Sequence, residues 1–219
     1  MNQPVPDHHE RFRYCYNESA MTDADRIRLS NAFDRFDAAN AEDPNVTIID
    51  GVETAKALLY SQQMTAWQQQ LYPSASEALK LAARAQHIRR WEIPRDSFPM
   101  DRVGYHRWRT RLYTFHADVA ERILREVGYD DRTIERVRAL LRKEKLKTDP
   151  ETQALEDIAC LVFLENYFAA FAAGHEDEKV IEIVRRTWGK MSPHGHNAAM
   201  TLSLPDKARE LIGQALTGD

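Results

Sequence analysis

Apolar residues recur at helical spacing along most of this chain, and that periodicity limits the fold more than any other feature. In the segment TDADRIRLSNAFDRFDAAN, Ile27, Phe33 and Phe36 lie on one helical face. Proline, glycine and asparagine separate successive stripes of this kind, and these residues favour turns. Strand signals are nearly absent. The pattern therefore predicts an all-α fold, a single-domain helical bundle around one core.

Capping and breaking residues mark the ends of the predicted helices. Gly128 is suited to a left-handed helix end after YHRWRTRLYTFHADVAERILREVG. The run VTIIDG is the best strand candidate, but no second strand with matching signals follows, so we interpret it as an extended lead-in to the helix VETAKALLYSQQMTAWQQQLY. The tail MSPHGHNAAMTLSLP is predicted to be irregular, and RKEKLK to be a solvated face. Three helix starts each offer two capping residues, namely Thr22 or Asp23, Ser74 or Ser76, and Asp130 or Asp131.

Length and charge bound the organisation of the chain. With 219 residues, we expect a flexible leader over residues 1–20 and one helical domain over residues 21–219. The net charge of -4 provides no global basic field, so no nucleic-acid partner is predicted. The assembly state stays open, with a homo-oligomer among the options.

Composition also bounds the expected location. The opening MNQPVPDHHERFRY has no apolar core typical of a secretory signal. The longest apolar run, IACLVFLENYFAAFAA, is interrupted by Glu165 and Asn166, which favours a buried helix over a membrane span. The only cysteines are Cys15 and Cys160, and this usage is typical of a reducing compartment. We therefore expect a cytoplasmic protein that does not enter a membrane.

Ionisable residues stand inside segments that otherwise read as buried helices. His87 lies in LKLAARAQHIRRW, His116 in WRTRLYTFHADVAERIL, and Glu156 with Asp157 in QALEDIACLVFLENYFAAFAA. Apolar faces exclude such groups unless the groups are paired or bind a metal. Two imidazoles and a carboxylate on separate helices can hold a divalent metal, Mn, Fe, Zn or Ni, and this pattern leaves open whether Glu156 or Asp157 supplies the carboxylate.

Each of these residues also has an ordinary structural interpretation. His116 can be a buried neutral histidine that donates to a backbone carbonyl, and His87 can be a helix end packed on Trp91. Glu156 and Asp157 can be first-turn carboxylates that the helix macrodipole favours.

Arginines near the first histidine suggest an anionic small-molecule substrate. Guanidinium groups bind phosphate well, and Arg84, Arg90 and Arg95 flank His87. We assign catalytic roles to Arg84 and Glu156, with Glu156 as acid or base. Substrate binding is assigned to Arg90, Arg95, His194 and His196.

The order of the candidate ligands resembles the HD superfamily of helical metal-dependent phosphohydrolases over roughly residues 50–170. AARAQHIRRW is similar to the family's His-Asp helix, FHADVAERILREVGYDDRTIERVRALLRKE to the following segment, and ALEDIACLVFLE to the closing helix. The resemblance implies an HD-like core with His87, His116 and Asp157 as ligands. The chain departs from the pattern at Ile88, where the family has aspartate, and at residues 60–63, where it has its first histidine.

The whole chain also resembles an uncharacterised family sometimes labelled glutamyl-tRNA synthetase. The similar segments are FDAANAEDPN, SQQMTAW, LAARAQHIRRWEIPR, ETQALEDIACLVFLE and KMSPHGH. HIRR and KMSPH are superficially similar to the HIGH and KMSKS signatures of class I synthetases. Those signatures need a parallel-sheet nucleotide fold, which a helical chain does not supply. We therefore do not expect synthetase activity.

Three functions follow from these residues. The first is a metal-dependent hydrolase that acts on a phosphorylated small molecule or nucleotide. The second is an HD-like di-iron oxygenase. The third is a non-catalytic helical module that has lost the metal and binds a ligand or a partner. Phosphate-loop, Rossmann, serine-hydrolase and HExxH motifs are all missing from the sequence.

Overall fold

The computed structural model describes residues 22–217, so the predicted leader of residues 1–20 lies outside the described residues. Within this range the chain forms ten α-helices, one two-stranded hairpin and two 3-10 helices. The all-α prediction is confirmed. The helices are α1 Asp23–Ala41, α2 Lys56–Leu71, α3 Glu77–Ala85, α4 Arg102–Val127, α5 Asp131–Leu141, α6 Pro150–Asn166, α7 Phe168–Ala173, α8 Asp177–Trp188, α9 Pro193–Ala199 and α10 Asp206–Thr217. The strands are β1 Val46–Ile49 and β2 Val52–Ala55, and the 3-10 helices are Arg90–Glu92 and Arg95–Ser97.

Several helix ends form where local sequence signals predict them. Thr22 caps α1 in a reciprocal capping box with Asp25. Ser76 caps α3 and Asp130 caps α5, each through a side-chain oxygen that accepts from a backbone N–H. Gly128 ends α4 in the left-handed region, with φ of 91°. In each pair of alternatives the structure thus selects one residue.

The interpretation of VTIIDG as a lead-in to a helix is wrong. β1 pairs with β2 in an antiparallel hairpin, and Ile49 faces Val52 across the turn. Asp50 and Gly51 form that turn with φ values of 50° and 81°. Two adjacent residues with positive φ form the tight turn that matches strand twist, and Asp-Gly is a preferred sequence for it. The segment VETA is therefore the second strand, and α2 begins only at Lys56.

Two other predicted boundaries are also wrong. The segment LKLAARAQHIRRW is not one helix, because α3 ends at Ala85 and His87 has a φ of 64°. The tail MSPHGHN is not irregular, because Ser192 caps a short helix, α9, that begins at Pro193. Proline suits the first position of a helix, because the backbone N–H at that position has no intrahelical partner whichever residue stands there.

Helix α6 runs through the core and carries two of the predicted site residues, Glu156 and Asp157. It packs against α2, α3, α5 and α9. Leu155, Ile158 and Leu161 are fully buried, and Cys160 is a free buried thiol. Helix α4 packs on α1 and α5, and α8 packs on α10. Among residues 22–217, no helix is long and apolar enough to cross a membrane.

Candidate functional site

The turn that follows α3 places His87 and Arg90. Both His87 and Arg89 adopt the left-handed backbone region, at φ of 64° and 50°. This region is unfavourable for residues other than glycine, so the surrounding structure must hold the turn in place. Two side chains from other helices do so. Asn40 on α1 accepts from the Arg89 N–H at 3.2 Å, and the His116 Nδ1 on α4 lies 2.8 Å from the Ile88 carbonyl oxygen.

His116 is a buried neutral imidazole with one unused nitrogen. Its side chain lies in the core with the residue 2% exposed. Burial lowers the pKa of His116 to about 3, so the ring is uncharged at neutral pH. The bond to the Ile88 carbonyl requires a proton on Nδ1, which leaves Nε2 as an acceptor. This Nε2 is buried and has no hydrogen-bond partner among the described residues.

His87 meets His116 in space, although it does not lie on a helix. The two imidazole centroids are 5.6 Å apart. The His87 ring also stacks on Tyr60 of α2, with centroids 4.7 Å apart and planes inclined by 22°. Burial, followed by the charge of Arg90, lowers the pKa of His87 well below its usual value. Both histidines are therefore neutral near pH 7.

Two arginines beside these histidines form no ion pair with a carboxylate among residues 22–217. The Arg90 guanidinium lies 4.6 Å from the Trp108 ring centroid, and the Arg109 guanidinium lies 5.4 Å from that of Tyr113. Arg109 also donates to the Tyr113 hydroxyl. Neither guanidinium forms an ion pair with any described residue. Both side chains are only half-buried, and burial lowers the pKa of Arg90 from its usual value. Burial alone would also lower the pKa of Arg109, but Tyr113, Tyr105 and Glu156 together raise it above its usual value. Arg90, whose charge is partly desolvated and has no carboxylate beside it among residues 22–217, therefore attracts an anion, and Arg109 adds a second positive charge.

A buried ion pair completes this region. Glu156 of α6 is 4% exposed and accepts from Lys143, while Lys190 lies 3.9 Å away. Burial alone would raise the pKa of Glu156, but Lys143, Lys190 and Arg109 lower it below its usual value. Glu156 is therefore ionised at neutral pH.

We call these residues the basic cluster, in which Lys143, Lys190 and Arg109 act on the Glu156 carboxylate and Arg90 acts on the two histidines. Its residues are Tyr60, His87, Arg90, Arg109, Tyr113, His116, Lys143, Glu156 and Lys190.

Sequence reasoning missed several members of the basic cluster. Arg109, Tyr113 and His116 are spaced i, i+4 and i+7, so they share one face of α4, and this spacing could have identified Arg109. Lys143 belongs to the run RKEKLK, but its side chain is only 11% exposed, so the interpretation of the run as a solvated face is wrong at this position. No local signal identifies Tyr60, because its stack with His87 joins two distant segments.

Asp157 faces a different part of the structure from Glu156. Its carboxylate accepts from the Tyr72 hydroxyl at 2.8 Å, from Gln153 Nε2 at 3.0 Å, and from Ser192 through both N–H at 2.7 Å and Oγ at 2.5 Å. These bonds attach the start of α9 to α6. Because α6 begins at Pro150, Asp157 and Glu156 lie beyond its first turn, and the interpretation as first-turn carboxylates is wrong.

The predicted metal-ligand set is brought together only in part. His87 and His116 are neighbours, whereas the Asp157 oxygens are already bonded to Ser192, Tyr72 and Gln153. In the described part of the chain, no three His, Cys, Asp or Glu side chains form a group that could hold a metal ion. A bound metal therefore remains a prediction, and Asp157 does not fit it.

Two of the predicted anion-binding arginines make structural contacts. Arg84 donates from Nε to Asp37 at 2.7 Å and from Nη1 to the Thr65 hydroxyl at 3.2 Å. Its second contact to Asp37 makes the pair bidentate. Arg95 donates to the carbonyl oxygens of Phe98, Pro99 and Asp101, so it braces the loop before α4. Neither lies in the basic cluster.

The tail histidines contact α2 and α8 rather than the basic cluster. The Nε2 of His194 lies 3.2 Å from the Leu71 carbonyl oxygen, and the ring meets Tyr72 edge-on at 5.3 Å. His196 stacks flat on Trp188, with centroids 4.0 Å apart, and its Nε2 lies 2.8 Å from the Trp188 carbonyl oxygen. Both residues belong to α9.

The comparisons with known proteins identify a family. The family described as Domain of unknown function (DUF4202) matches residues 30–212, and the chain belongs to it. The matched range includes every residue of the basic cluster. Neither the comparison with curated proteins nor that with solved structures gives a match.

Proposed function

We propose that the basic cluster binds a phosphorylated small molecule. The observation that carries this proposal is the pair of half-buried guanidinium groups, Arg90 and Arg109, that form no ion pair with a described residue. Guanidinium groups donate several hydrogen bonds in one plane and match phosphate oxygens. The partial exposure of both side chains leaves them accessible from solvent.

The remaining members of the cluster favour a single anion over a cation. Lys143 and Lys190 share Glu156, so the local charge stays positive. The aromatic rings of Trp108 and Tyr113 fix the guanidinium planes, and this lowers the entropy cost of binding.

Calorimetry with inorganic phosphate and simple phosphate esters tests the proposal directly. We expect Arg90→Gln and Arg109→Gln each to weaken phosphate-ester binding about tenfold or more, because each removes a charged hydrogen bond. Arg111→Gln is the matched control, since Arg111 is exposed on α4 outside the basic cluster. The proposal fails if no phosphate compound binds, or if all three variants weaken binding equally.

A second candidate function is the metal-dependent phosphohydrolase with an HD-like core. One observation favours it: His116 donates through Nδ1 to a backbone carbonyl and leaves a buried Nε2 free. Metal-binding histidines are oriented by bonds of this kind. In this candidate a divalent Mn, Fe, Zn or Ni ion binds His87 and His116, and Glu156 acts as acid or base. The di-iron oxygenase is the form of the same candidate that needs two irons.

Elemental analysis by ICP-MS separates these candidates. Near-stoichiometric metal in the parent, and little in a folded His116→Asn variant, would favour the phosphohydrolase. Two irons per chain with a cluster spectrum would favour the oxygenase. Phosphate binding without metal, even after incubation with Mn, Fe, Zn and Ni, leaves a binding site that needs no metal.

We also propose a cellular location for the protein. The free buried thiol of Cys160 fits a reducing compartment, and we propose a cytoplasmic location.

The two segments that are superficially similar to synthetase signatures have other surroundings here. The HIRR segment forms the turn of His87, and KMSPH leads into α9. The described chain offers these segments only an antiparallel hairpin and no parallel sheet. We keep a homo-oligomer as a proposal, and size-exclusion chromatography with light scattering would test it.

A further inference from the structure

The unpartnered nitrogen of His116 is a binding feature that the phosphate proposal does not use. Its Nε2 is an acceptor without a donor among the described residues, while Nδ1 is committed to the Ile88 carbonyl. A buried acceptor without a donor costs free energy. A group that donates a hydrogen bond there would recover this cost.

The surrounding charges decide what kind of donor can bind. Arg90 acts electrostatically on His116, and Arg90, Arg109 and Lys143 all act on His87. These cations repel an ammonium group and equally disfavour a metal ion. The donor is therefore neutral. Because Nε2 lies below the surface, a hydroxyl group, the smallest neutral donor that an organic ligand carries, needs the least rearrangement.

We infer that the ligand of the basic cluster is a phosphorylated polyol or sugar, whose hydroxyl group donates to His116 Nε2 while Arg90 and Arg109 hold its phosphate. This inference rests on the proposed function and adds the substrate class to it. No bond is made or broken in this recognition step. His116 acts here as a specificity-determining residue.

Because His116 Nε2 is buried, a ligand reaches it only if a neighbouring group moves, and we expect His87 to be that group. The His87 ring is the neighbouring polar group, with its centroid 5.6 Å from that of His116, and it has no hydrogen bond to another described residue. Its rotation therefore breaks no hydrogen bond and costs mainly the stack on Tyr60. Its place on a turn, after the end of α3, leaves the helix intact during that movement.

Two ligands of nearly equal size test the inference. Glycerol 3-phosphate carries hydroxyl groups, and propyl phosphate has the same carbon chain without them. We expect the parent to bind glycerol 3-phosphate about five- to tenfold more tightly in calorimetry, which is the range of one neutral hydrogen bond. In His116→Asn, where the amide nitrogen keeps the bond to Ile88 and Nε2 is gone, we expect this preference to disappear while propyl phosphate binds as before.

The outcomes separate this inference from the proposed function. Equal binding of the two esters to the parent, with binding still lost in Arg90→Gln, overturns the hydroxyl contact and leaves the phosphate site standing. Stoichiometric metal that depends on His116 overturns it as well, because Nε2 is then a ligand. Failure of both esters and of inorganic phosphate to bind overturns the proposed function itself.

A measurement on the parent protein removes the dependence on a folded variant. In ¹⁵N-histidine-labelled protein, glycerol 3-phosphate should shift the Nε2 resonance of His116, and propyl phosphate should leave it in place. Identical shifts with both esters would contradict the hydroxyl contact. His106→Asn is the matched control for the assignment, since His106 is an exposed histidine on the same helix.

Discussion

At the start of α9 the backbone of Gly195 passes so close to Asp157 that a side chain would collide with it. A Cβ atom at Gly195 would lie 2.8 Å from Asp157 Oδ1. That oxygen cannot move freely, because Gln153 and the Ser192 N–H both donate to it. The small residue in KMSPHGH therefore allows α9 to attach to α6.

We predict that Gly195→Ala lowers the free energy of unfolding by about 1–3 kcal/mol, the range for overpacking in a closely packed region. Gly213→Ala is the matched control. Gly213 lies within α10, where a Cβ would meet nothing within 4 Å, so alanine should stabilise by up to about 1 kcal/mol. Urea unfolding of both variants measures the difference. Equal effects of the two substitutions would contradict the collision.

Asp157→Asn should destabilise the chain without changing the affinity for phosphate. The carboxylate accepts every bond from Tyr72, Gln153 and Ser192, and an amide would place a donor against some of these donors. We expect a loss of about 2–3 kcal/mol in thermal or urea unfolding. Calorimetry with a phosphate ester on the folded variant supplies the second readout. A loss of ligand affinity at unchanged stability would return Asp157 to the binding site.

At the scale of elements, Arg84 joins α3 to α1. Its bidentate pair with Asp37 is mostly shielded from solvent, with the Arg84 side chain 12% exposed. The third donation, to Thr65, also ties α2 to the same point. The arginine that the sequence assigns to catalysis therefore connects three helices.

Arg84→Ala should cost about 1–2 kcal/mol of stability, because it leaves Asp37 without its partner. Binding of phosphate esters should stay at the parent level in the folded variant. Arg26→Ala is the control, since Arg26 makes an exposed ion pair with Asp23 on α1 and should change stability by less than about 0.5 kcal/mol. Denaturant unfolding and calorimetry together check the assignment.

Helix ends that depend on hydrogen bonds within a few residues are predictable from the sequence. Helix ends that depend on contacts from distant segments are not. The caps at Thr22, Ser76 and Asp130 depend on local hydrogen bonds, so the sequence alone limits each cap to two nearby residues. The hairpin was missed although its Asp-Gly turn is a strong local signal, because VETA also fits the start of a helix. The early end of α3 depends on Asn40 and His116, which contact the turn from other helices. No pattern within AARAQHIRRW contains that information.

At the scale of the whole molecule, the buried histidines couple stability to pH. The pKa of His116 is about 3 in the folded chain and about 6.5 when unfolded, so below pH 6.5 the unfolded state binds a proton that the folded state does not. The stabilisation by neutral His116 is complete above pH 6.5 and is lost progressively as the pH falls. His87, whose pKa is also lowered, acts in the same direction.

We predict that the free energy of unfolding falls by about 2–3 kcal/mol between pH 7.5 and pH 4.5 from His116 alone. Glu156 and Asp149, whose pKa values are lowered, stay ionised in the folded chain over this range, and their stabilising contributions start to fall at its acid end, where the unfolded carboxyls with usual pKa values of 4.5 and 3.8 begin to bind protons. Urea unfolding at several pH values measures the slope. His116→Asn should show a shallower decline, and an unchanged slope in that variant would contradict the assignment.

Only part of the candidate site follows from the sequence. Polar residues on apolar segments single out His87, His116 and Glu156, and the structure places His87 beside His116 and Glu156 in an ion pair with Lys143, while their functional role stays a prediction. Asp157 has the same sequence signature, yet its contacts are with Tyr72 and Ser192. Burial of a charged group indicates that it has partners, but the sequence does not say whether those partners belong to the chain or to a ligand.

The two neighbouring carboxylates of α6 lie on different faces of one helix. Glu156 points to the basic cluster and Asp157 to α9, since consecutive residues of a helix are rotated by about 100° from each other. Inserting or deleting a single residue between Pro150 and Glu156 would rotate both carboxylates away from their partners, Lys143 and Ser192. The number of residues in this half of α6 is therefore as constrained as their identity. We expect insertions and deletions to be tolerated in the exposed loops instead.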